Sequence, residues 1–311
     1  MVTNALKGTM AGKPRIGFIG VGLMGHGVAR CILERGGYPL TILGHRNRVP
    51  VEELIARGAA EAASAAKLAR QSEIVFLCLP SSNEVEQMIF GEAGLSTGLS
   101  SGMTIIDCTT SDPMVTRRIG AKLAAHGITL IDAALGRTPK EAEAGALSTY
   151  VGGESADVER LRPLMQSYCD TIIHCGPLGA GTTCKLVNNS ITIGMVALFA
   201  EGFTTAARIG VNMDALCDVL SAGGADGKMW KMLAPWIRDG DDSFLKGPIR
   251  IAAKDMRAYG QMAQAAGSSV FIAQAVNQTL CLALNQGHAE TYLPRLPEIL
   301  AELNGTQIRP D

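Results

Sequence analysis

A glycine-rich segment near the amino terminus sets the strongest constraint on how this chain can fold. The segment reads RIGFIGVGLMGHGVARCIL, an apolar run followed by Gly20-x-Gly22-x-x-Gly25 and then by a helical pattern. In such a segment the first glycine makes a tight turn, the second lets the backbone approach a pyrophosphate, and the third lets helix and strand pack closely. The N terminus of the helix then offers free N–H groups to the phosphates. The segment therefore predicts a dinucleotide site whose loop also contains Leu23 and Met24.

The first half of the chain alternates between short apolar runs and helical stretches. The runs RIGFIG, LTILG, EIVFLCLP, MTIIDC, ITLIDA and TIIHC read as strands, and LSTYVGG is a further candidate. Helical stretches such as PMVTRRIGAKLAAHG lie between them. This alternation predicts a parallel sheet that is covered by helices on both faces.

The strand pattern stops after Gly176, and the remaining sequence is helical almost throughout. We therefore predict an α/β fold with a Rossmann-type doubly wound parallel sheet in residues 15–178, followed by an all-helical carboxy-terminal domain in residues 179–311. The stretch TTCKLVNNSITIGMVALFAEGFTTAARIG predicts one long helix. It is apolar around most of its circumference, so we expect it to be buried.

The composition excludes several classes of protein. With 47% hydrophobic and 18% charged residues, the 311-residue chain can form a sizeable core and is not expected to be disordered. A net charge of −1 without a long run of Lys or Arg gives no electrostatic basis for binding nucleic acid or an anionic membrane. The amino terminus lacks the apolar core of a secretory signal, and no uninterrupted apolar run of ~18 residues predicts a membrane span.

The cysteines and histidines indicate a cytoplasmic protein without a metal site. The eight cysteines include no C-x-x-C pair, and most lie in apolar segments, as reduced thiols of cytosolic proteins do. The five histidines are scattered, with no spacing typical of metal ligands. We expect no bound metal and a cytoplasmic location.

The residues after the second predicted strand indicate which dinucleotide is bound. An NAD site usually carries Asp or Glu about 20 residues after the glycine loop, where it binds the ribose 2′-hydroxyl. No acid occurs from Ile42 to Arg48, and the segment instead contains Arg46 and Arg48, with Asn47 between them and His45 before them. A guanidinium suits a 2′-phosphate, so the segment favours NADP, with NAD possible. The alternative is that these arginines are solvated side chains at a strand end.

A polar stripe lies on the long apolar helix. Lys185, Asn188, Asn189 and Thr192 are spaced at i, i+3, i+4 and i+7, so they share one face. Buried polar groups need partners, which either a structural network or a ligand cavity provides. A lysine in a partly desolvated site can act as an acid or a base, because burial lowers its pKa from ~10.4.

The segment LGRTPKEAEAG follows ITLID, a strand that we predict to end at Asp132. Loops at strand ends are where active sites tend to lie. Arg137, next to Thr138, can therefore face a substrate anion. The alternatives are that it points to solvent or pairs with Glu141 or Glu143.

Four stretches in this order, GFIGVGLMG, DAALGRTPKEAEAGAL, GAGTTCKLVNN and AAKDMRAY, resemble the β-hydroxyacid dehydrogenases. That family includes 3-hydroxyisobutyrate dehydrogenase, tartronate semialdehyde reductase and sulfolactaldehyde reductase. The resemblance extends from about Arg15 to about residue 300. It implies a Rossmann domain, an all-helical domain, and an active site in the cleft between them.

The resemblance also implies roles for individual residues. Lys185 looks like the catalytic lysine, Asn189 like its substrate-orienting partner, and Asp255 like a structural residue. Thr109 looks like the residue beside the nicotinamide, and Lys254 like the lysine that reaches the cofactor when the cleft closes. Leu79 and Pro80 would line the path of the cofactor.

One motif departs from the pattern of many family members. They carry Ser-Gly-Gly where this chain has Gly136-Arg137-Thr138, which looks more like the sulfolactaldehyde reductase branch. There the arginine would help to hold a sulfonate. The expected substrate-binding residues are Gly136, Arg137, Thr138, Asn188 and Asn189.

The sequence thus predicts an NADP(H)-dependent oxidoreductase that interconverts a small anionic hydroxyacid, or hydroxy-sulfonate, and its semialdehyde. We expect a homodimer or homotetramer. The alternatives are a dedicated sulfolactaldehyde reductase, an imine reductase, or a dinucleotide-binding sensor without turnover. Imine reductases usually lack a lysine at the position of Lys185, which argues against that alternative.

Overall fold

The computed structural model describes residues 12–309, which divide into two compact units. Residues 12–109 and 115–181 form the first unit, and residues 110–114 and 182–309 form the second. The first unit contains an eight-stranded sheet, and the second is built from helices.

The sheet of the first unit has the strand order β3-β2-β1-β4-β5-β6-β7-β8. Neighbouring strands are parallel except β6 and β7, which are antiparallel. The predicted Rossmann-type sheet is confirmed, with this one antiparallel pair as a correction. β3 was not predicted, because three residues reading AEA carry no apolar pattern. The strands are β1 (Ile16–Ile19), β2 (Leu40–Leu43), β3 (Ala60–Ala62), β4 (Ile74–Leu77), β5 (Thr104–Asp107), β6 (Thr129–Gly136), β7 (Leu147–Gly152) and β8 (Cys169–Gly176).

Apolar side chains alternate across the central strands and form a core on each face of the sheet. On one face Phe18 stacks on Phe76 with ring centroids 5.6 Å apart, and Tyr168 meets Phe76 edge-on at 6.0 Å. On the other face Val75 and Leu77 belong to a second buried cluster. Both faces need helical cover, since a parallel sheet is buried on its two sides. The helices of this part of the chain are α1 (Gly25–Glu34), α2 (Val49–Ala56), α3 (Ala65–Gln71), α4 (Ser82–Phe90), α5 (Pro113–Ala124), α6 (Pro139–Ala144) and α7 (Ser155–Met165).

The strand that precedes the LGRTPKEAEAG segment is longer than predicted. β6 continues past Asp132 to Gly136, because β7 folds back and pairs with the added residues from Asp132↔Gly152 to Gly136↔Ser148. Gly136 is therefore a strand residue, and the loop begins only at Arg137. The prediction that the strand ends at Asp132 is wrong.

The all-helical prediction for the carboxy-terminal part is confirmed. Two buried clusters hold its helices together, and in one of them Phe203 stacks on Trp230 with ring centroids 5.9 Å apart. The helices are α8 (Ala180–Ile209), α9 (Met213–Ala222), α10 (Lys228–Asp239), α11 (Ile249–Ala265), α12 (Phe271–Asn285) and α13 (Leu296–Leu303).

The long helix α8 is less buried than predicted. Val196 and Ala200 are fully buried, whereas Leu198 and Ile209 are 63% and 76% exposed. One side of α8 packs in the apolar core with residues of α11 and α12, so the expectation that this helix is buried is met on that side only. Among the residues described, α8 is long and apolar enough to cross a membrane, with 39% of its most apolar window buried. The buried core helices of soluble proteins meet the same criterion.

Gly27 on α1 allows this helix to contact α6, and its substitution tests the packing. A Cβ atom at Gly27 would lie 2.5 Å from the carbonyl carbon of Ala142 and 2.7 Å from the amide nitrogen of Glu143. We expect Gly27→Ala to lower the free energy of unfolding by roughly 1–3 kcal/mol in urea titrations, because neither backbone can yield without repacking. Gly202→Ala on α8 is the control, since nothing lies within 4 Å of that position and stability should hold or rise. Equal stability of the Gly27→Ala variant and the native protein would contradict the packing.

Candidate functional site

The three glycines of the predicted dinucleotide loop occupy three different environments. Gly20 has a φ of +101°, and a Cβ there would lie 2.1 Å from the carbonyl oxygen of Cys78. A Cβ at Gly25 would lie 1.9 Å from the carbonyl oxygen of Gly20. Gly22 has open space, with nothing within 4 Å, and the neighbouring Leu23 is 75% exposed. The outer glycines thus close the turn, while the middle one leaves the backbone accessible, as a bound pyrophosphate requires.

The ends of β4 and β5 are joined beside this loop. The backbone N–H of Leu79 donates to the hydroxyl oxygen of Thr109 over 3.0 Å. The backbone N–H of Thr109 in turn donates to the carboxylate of Asp107 at 2.9 Å. Thr109 is 2% exposed, so its position is fixed by the sheet edge. Leu79, Pro80 and Thr109 therefore lie at the carboxyl edge of the parallel strands, where open α/β sheets bind ligands.

The two arginines that follow β2 have different surroundings. Arg46 is exposed, and within residues 12–309 its guanidinium forms no hydrogen bond or ion pair with another residue. Arg48 donates to both carboxylate oxygens of Glu61, at 2.6 and 2.9 Å. His45 is exposed, and the Asn47 side chain accepts a hydrogen bond from the backbone of Val49 at 3.2 Å. Arg46 is therefore the guanidinium of this segment that is available to a ligand.

Arg137 and Thr138 lie in the turn between β6 and α6, and both are engaged by neighbouring residues. Arg137 has a φ of 76°, which is uncommon for a residue other than glycine. The Thr138 hydroxyl and backbone N–H both donate to the carboxylate of Glu141. The bond from that hydroxyl holds the pKa of Glu141 below its ordinary value.

The Arg137 guanidinium binds groups of its own unit. Nη1 donates to the Asp170 carboxylate at 2.6 Å and to the backbone carbonyl of Ala146, and Nη2 donates to the Thr171 hydroxyl at 3.3 Å. The bond from Arg137 lowers the pKa of Asp170. The alternative that Arg137 pairs with Glu141 or Glu143 is therefore wrong. Glu143 instead contacts His26 and Arg30 of α1.

The second unit brings Lys185, Asn189 and Lys254 around one buried carboxylate. The carboxylate is that of Asp255 on α11, which is 5% exposed. Its oxygens lie 2.6 Å from the Asn189 amide nitrogen, which donates, and 3.2 Å from the Lys254 ammonium. The Asn188 amide donates to the Asn189 carbonyl oxygen at 3.3 Å, which fixes both groups of the Asn189 side chain.

Burial lowers the pKa of Lys185, which is half-buried on α8. The nearby Lys254 charge lowers it further, and the Asp255 charge opposes the shift. A lysine with a lowered pKa can exchange a proton closer to neutral pH than an ordinary lysine can. The sequence resemblance assigns Asp255 a structural role. Its position beside Lys254 in AAKDMRAY was the sequence feature that could have indicated a place in the site. The structure gives this carboxylate direct influence over Lys185 and Asn189.

A metal site is not evident in the described part of the chain. Among residues 12–309, no group of three or more His, Cys, Asp or Glu side chains is arranged to hold a metal ion.

Two family models together match most of the chain. Residues 15–176 match the NAD binding domain of 6-phosphogluconate dehydrogenase. Residues 179–292 match the NAD-binding domain of NADP-dependent 3-hydroxyisobutyrate dehydrogenase.

Curated relatives and solved structures agree with these matches. The chain is 34% identical to 3-sulfolactaldehyde reductase of Escherichia coli K12 over 213 residues, 68% of this chain and 70% of the relative. It is 29% identical to NAD-dependent L-serine dehydrogenase of Pseudomonas aeruginosa over 285 residues, 89% and 94% of the two chains. The solved structure of Mycobacterium tuberculosis 3-hydroxyisobutyrate dehydrogenase with L-serine has the same fold, with a TM-score of 0.83, 22% identity, and coverage of 93% and 99%.

Asp255→Asn tests the electrostatic link between the Asp255 carboxylate and Lys185. Asp255 raises the pKa of Lys185, so removing its charge should move the titration of Lys185 to lower pH. The pH dependence of amine acylation at Lys185, followed by peptide mass spectrometry, measures this directly, with N-acetyl-lysine amide as the reference. Asp239→Asn, at the end of α10, is the matched control and should not move the midpoint. A midpoint that stays in place or rises in Asp255→Asn would contradict the link.

Proposed function

Because the chain belongs to the β-hydroxyacid dehydrogenase family, we propose that it interconverts a small β-hydroxyacid or hydroxy-sulfonate and its semialdehyde with NADP(H), using Lys185 as the general acid and base. The chain is an NAD(P)-dependent oxidoreductase of the kind that acts on hydroxyacids. The observation that carries the proposal is the grouping of Lys185 and Asn189 with the buried carboxylate of Asp255.

Lys185 moves the proton in the proposed reaction. A nicotinamide held at the glycine loop would provide the hydride chemistry, by donation to the carbonyl carbon in reduction and by removal from the hydroxyl-bearing carbon in oxidation. In the direction of reduction, the Lys185 ammonium donates a proton from Nζ to the oxygen on which negative charge develops. In the direction of oxidation, the neutral amine takes the proton of the substrate hydroxyl. The lowered pKa of Lys185 increases the neutral fraction at a given pH, which favours its use as a base.

Asn189 and Asp255 hold the surroundings of Lys185 in place. The Asp255 carboxylate fixes the Asn189 amide nitrogen, so the amide oxygen points to donors such as Asn188 or a substrate hydroxyl. Lys254 beside Asp255 adds a second cation at this position, and we propose that it serves the cofactor. An amide that is already oriented loses little entropy when it binds the substrate.

Arg46 supports the choice of NADP. Its guanidinium is exposed and pairs with no other residue in the described range 12–309, and it follows β2, where the adenosine ribose of a dinucleotide is expected. Arg48 is less available, because Glu61 holds it. Of the two arginines after β2, Arg46 is therefore ready to bind a 2′-phosphate and Arg48 is not. With one guanidinium at the phosphate, we expect a moderate preference for NADP over NAD.

The proposed substrate carries an acid group that binds at Gly136, Arg137 and Thr138, and we propose a sulfonate. The similarity to a 3-sulfolactaldehyde reductase supports this assignment. A guanidinium has five N–H donors, and the bonds to Asp170, Ala146 and Thr171 use three of them. The donors that remain, on Nη2 and Nε, can bind two oxygens of an anion.

The assembly and location predicted from the sequence, a homodimer or homotetramer in the cytoplasm, stay predictions. The exposed apolar side chains of α8, including Ile191 and Leu198, support self-association. All eight cysteines are free thiols, as the reducing cytoplasm requires.

Lys185→Ala tests the proposed general acid. We expect kcat for semialdehyde reduction to fall about 10²- to 10⁴-fold, because proton donation is lost. The Kd for NADPH, measured by fluorescence titration, should stay within about twofold, because the glycine loop is untouched. Lys231→Ala, which removes an exposed lysine paired with Asp226 on the same unit, is the control and should keep full activity. Activity of Lys185→Ala within a few-fold of the native enzyme would refute the assignment.

Arg137→Ala tests whether the guanidinium recognises the acid group. We expect kcat/KM to fall about 10- to 150-fold for sulfonate semialdehydes, somewhat less for carboxylates, and little for neutral aldehydes of matched size. Asp170→Asn is the companion variant, since it keeps the guanidinium and removes its partner. If Arg137 serves only to bind Asp170, both variants lose thermal stability, and the ratio of kcat/KM for anionic and neutral aldehydes does not change.

A further inference from the structure

A carboxylate from β3 lies at the carboxyl end of β2. Glu61 is in register with Ile42, and the next residue of β3, Ala62, is buried in the core. Successive side chains of a strand point to opposite faces of the sheet, so Glu61 points to the face opposite the one on which Ala62 is buried. There it meets Arg48, which donates to both of its oxygens.

The Arg48–Glu61 ion pair lies directly over Gly44, the first residue after β2. A Cβ at Gly44 would be 2.1 Å from a carboxylate oxygen of Glu61 and 2.4 Å from Nη1 of Arg48. In NAD-binding Rossmann folds an acid near this point binds the ribose 2′-hydroxyl. The residues that follow β2 contain no acid, but the tertiary structure places one there from the adjacent strand.

We propose that Glu61 is a determinant of cofactor specificity. It neutralises the charge of Arg48 and places a carboxylate where the adenosine ribose binds. Both effects weaken the preference of the enzyme for NADPH over NADH. This inference rests on the proposed binding of the dinucleotide at the end of β2.

The charges give the two cofactors opposite responses to Glu61. The hydrogen bonds from Arg48 lower the pKa of Glu61, so the carboxylate stays ionised. It repels a 2′-phosphate, and it holds the Arg48 guanidinium, which could otherwise join Arg46 in binding that phosphate. When NADH is bound, a Glu61 carboxylate oxygen still has a lone pair that can accept a hydrogen bond from the ribose 2′-hydroxyl, in addition to the bonds that Arg48 donates.

The test compares Glu61→Gln, Arg48→Ala and the double variant by the ratio of kcat/KM for NADPH to kcat/KM for NADH. Glu61→Gln should raise this ratio about three- to tenfold at low ionic strength, because a repulsive charge is removed and Arg48 is released. Arg48→Ala should lower the ratio by a similar factor, because it leaves Glu61 uncompensated. The double variant should return to within about twofold of the native ratio, since each single effect arises from unbalancing one pair.

Two further variants separate the inference from the proposed function. Arg46→Ala should lower the ratio, because it removes the guanidinium proposed to bind the 2′-phosphate. Glu34→Gln is the matched control, since Glu34 forms a comparable ion pair with Arg57 and should not alter the ratio. Both cofactors are measured on one preparation, so a loss of folded protein cancels from the ratio.

An unchanged ratio in Glu61→Gln and Arg48→Ala, with a lowered ratio in Arg46→Ala, would overturn the inference and leave the proposed cofactor site intact. In that case the pair only stabilises β3, and both variants would lower the melting temperature. An unchanged ratio in Arg46→Ala as well would overturn both, because the adenosine end would then bind elsewhere.

Discussion

Backbone contact at the end of β1 is the constraint on which the proposed cofactor site depends. Gly20 lies against the carbonyl group of Cys78, and Gly25 lies against the carbonyl group of Gly20, at distances that leave no room for a Cβ atom. These contacts bring the start of α1 up to the carboxyl edge of the sheet. Gly22 has open space in this turn, and the Thr109 hydroxyl is held at the same edge of the sheet by the backbone N–H of Leu79.

Charged groups are arranged differently in the two units. In the sheet unit, Arg48 and Arg137 are each held by a carboxylate, Glu61 and Asp170, which limits what either guanidinium offers to a ligand. In the helical unit, the Asp255 carboxylate is shared between an amide and an ammonium group, and Lys185 is left with a lowered pKa. An ion pair near the surface stabilises the fold only weakly. A pKa shift at a half-buried lysine, in contrast, changes which proton transfers that lysine can perform.

Local patterns predicted most of the sheet and the elements that carry the candidate site. The glycine loop, the stripe at Lys185 and Asn189, and the long helix α8 each follow from residues close together in the chain. The prediction was wrong where a distant segment decided the outcome. β6 is extended by pairing with β7, and α8 is buried on one side only, because the packing of α11 and α12 does not surround it.

The sequence by itself determined the dinucleotide loop, the alternation that produces a parallel sheet, the helical second half and the family of the chain. Each of these depends on residue spacing or on the conformational freedom of glycine, which are local properties. Only the tertiary structure decided which charges remain free. Arg137 meets a carboxylate 33 residues away, Arg48 meets one from the neighbouring strand, and Asn189 meets Asp255 from another helix. Electrostatic interactions depend on distance in space, and strand register and helix packing set those distances.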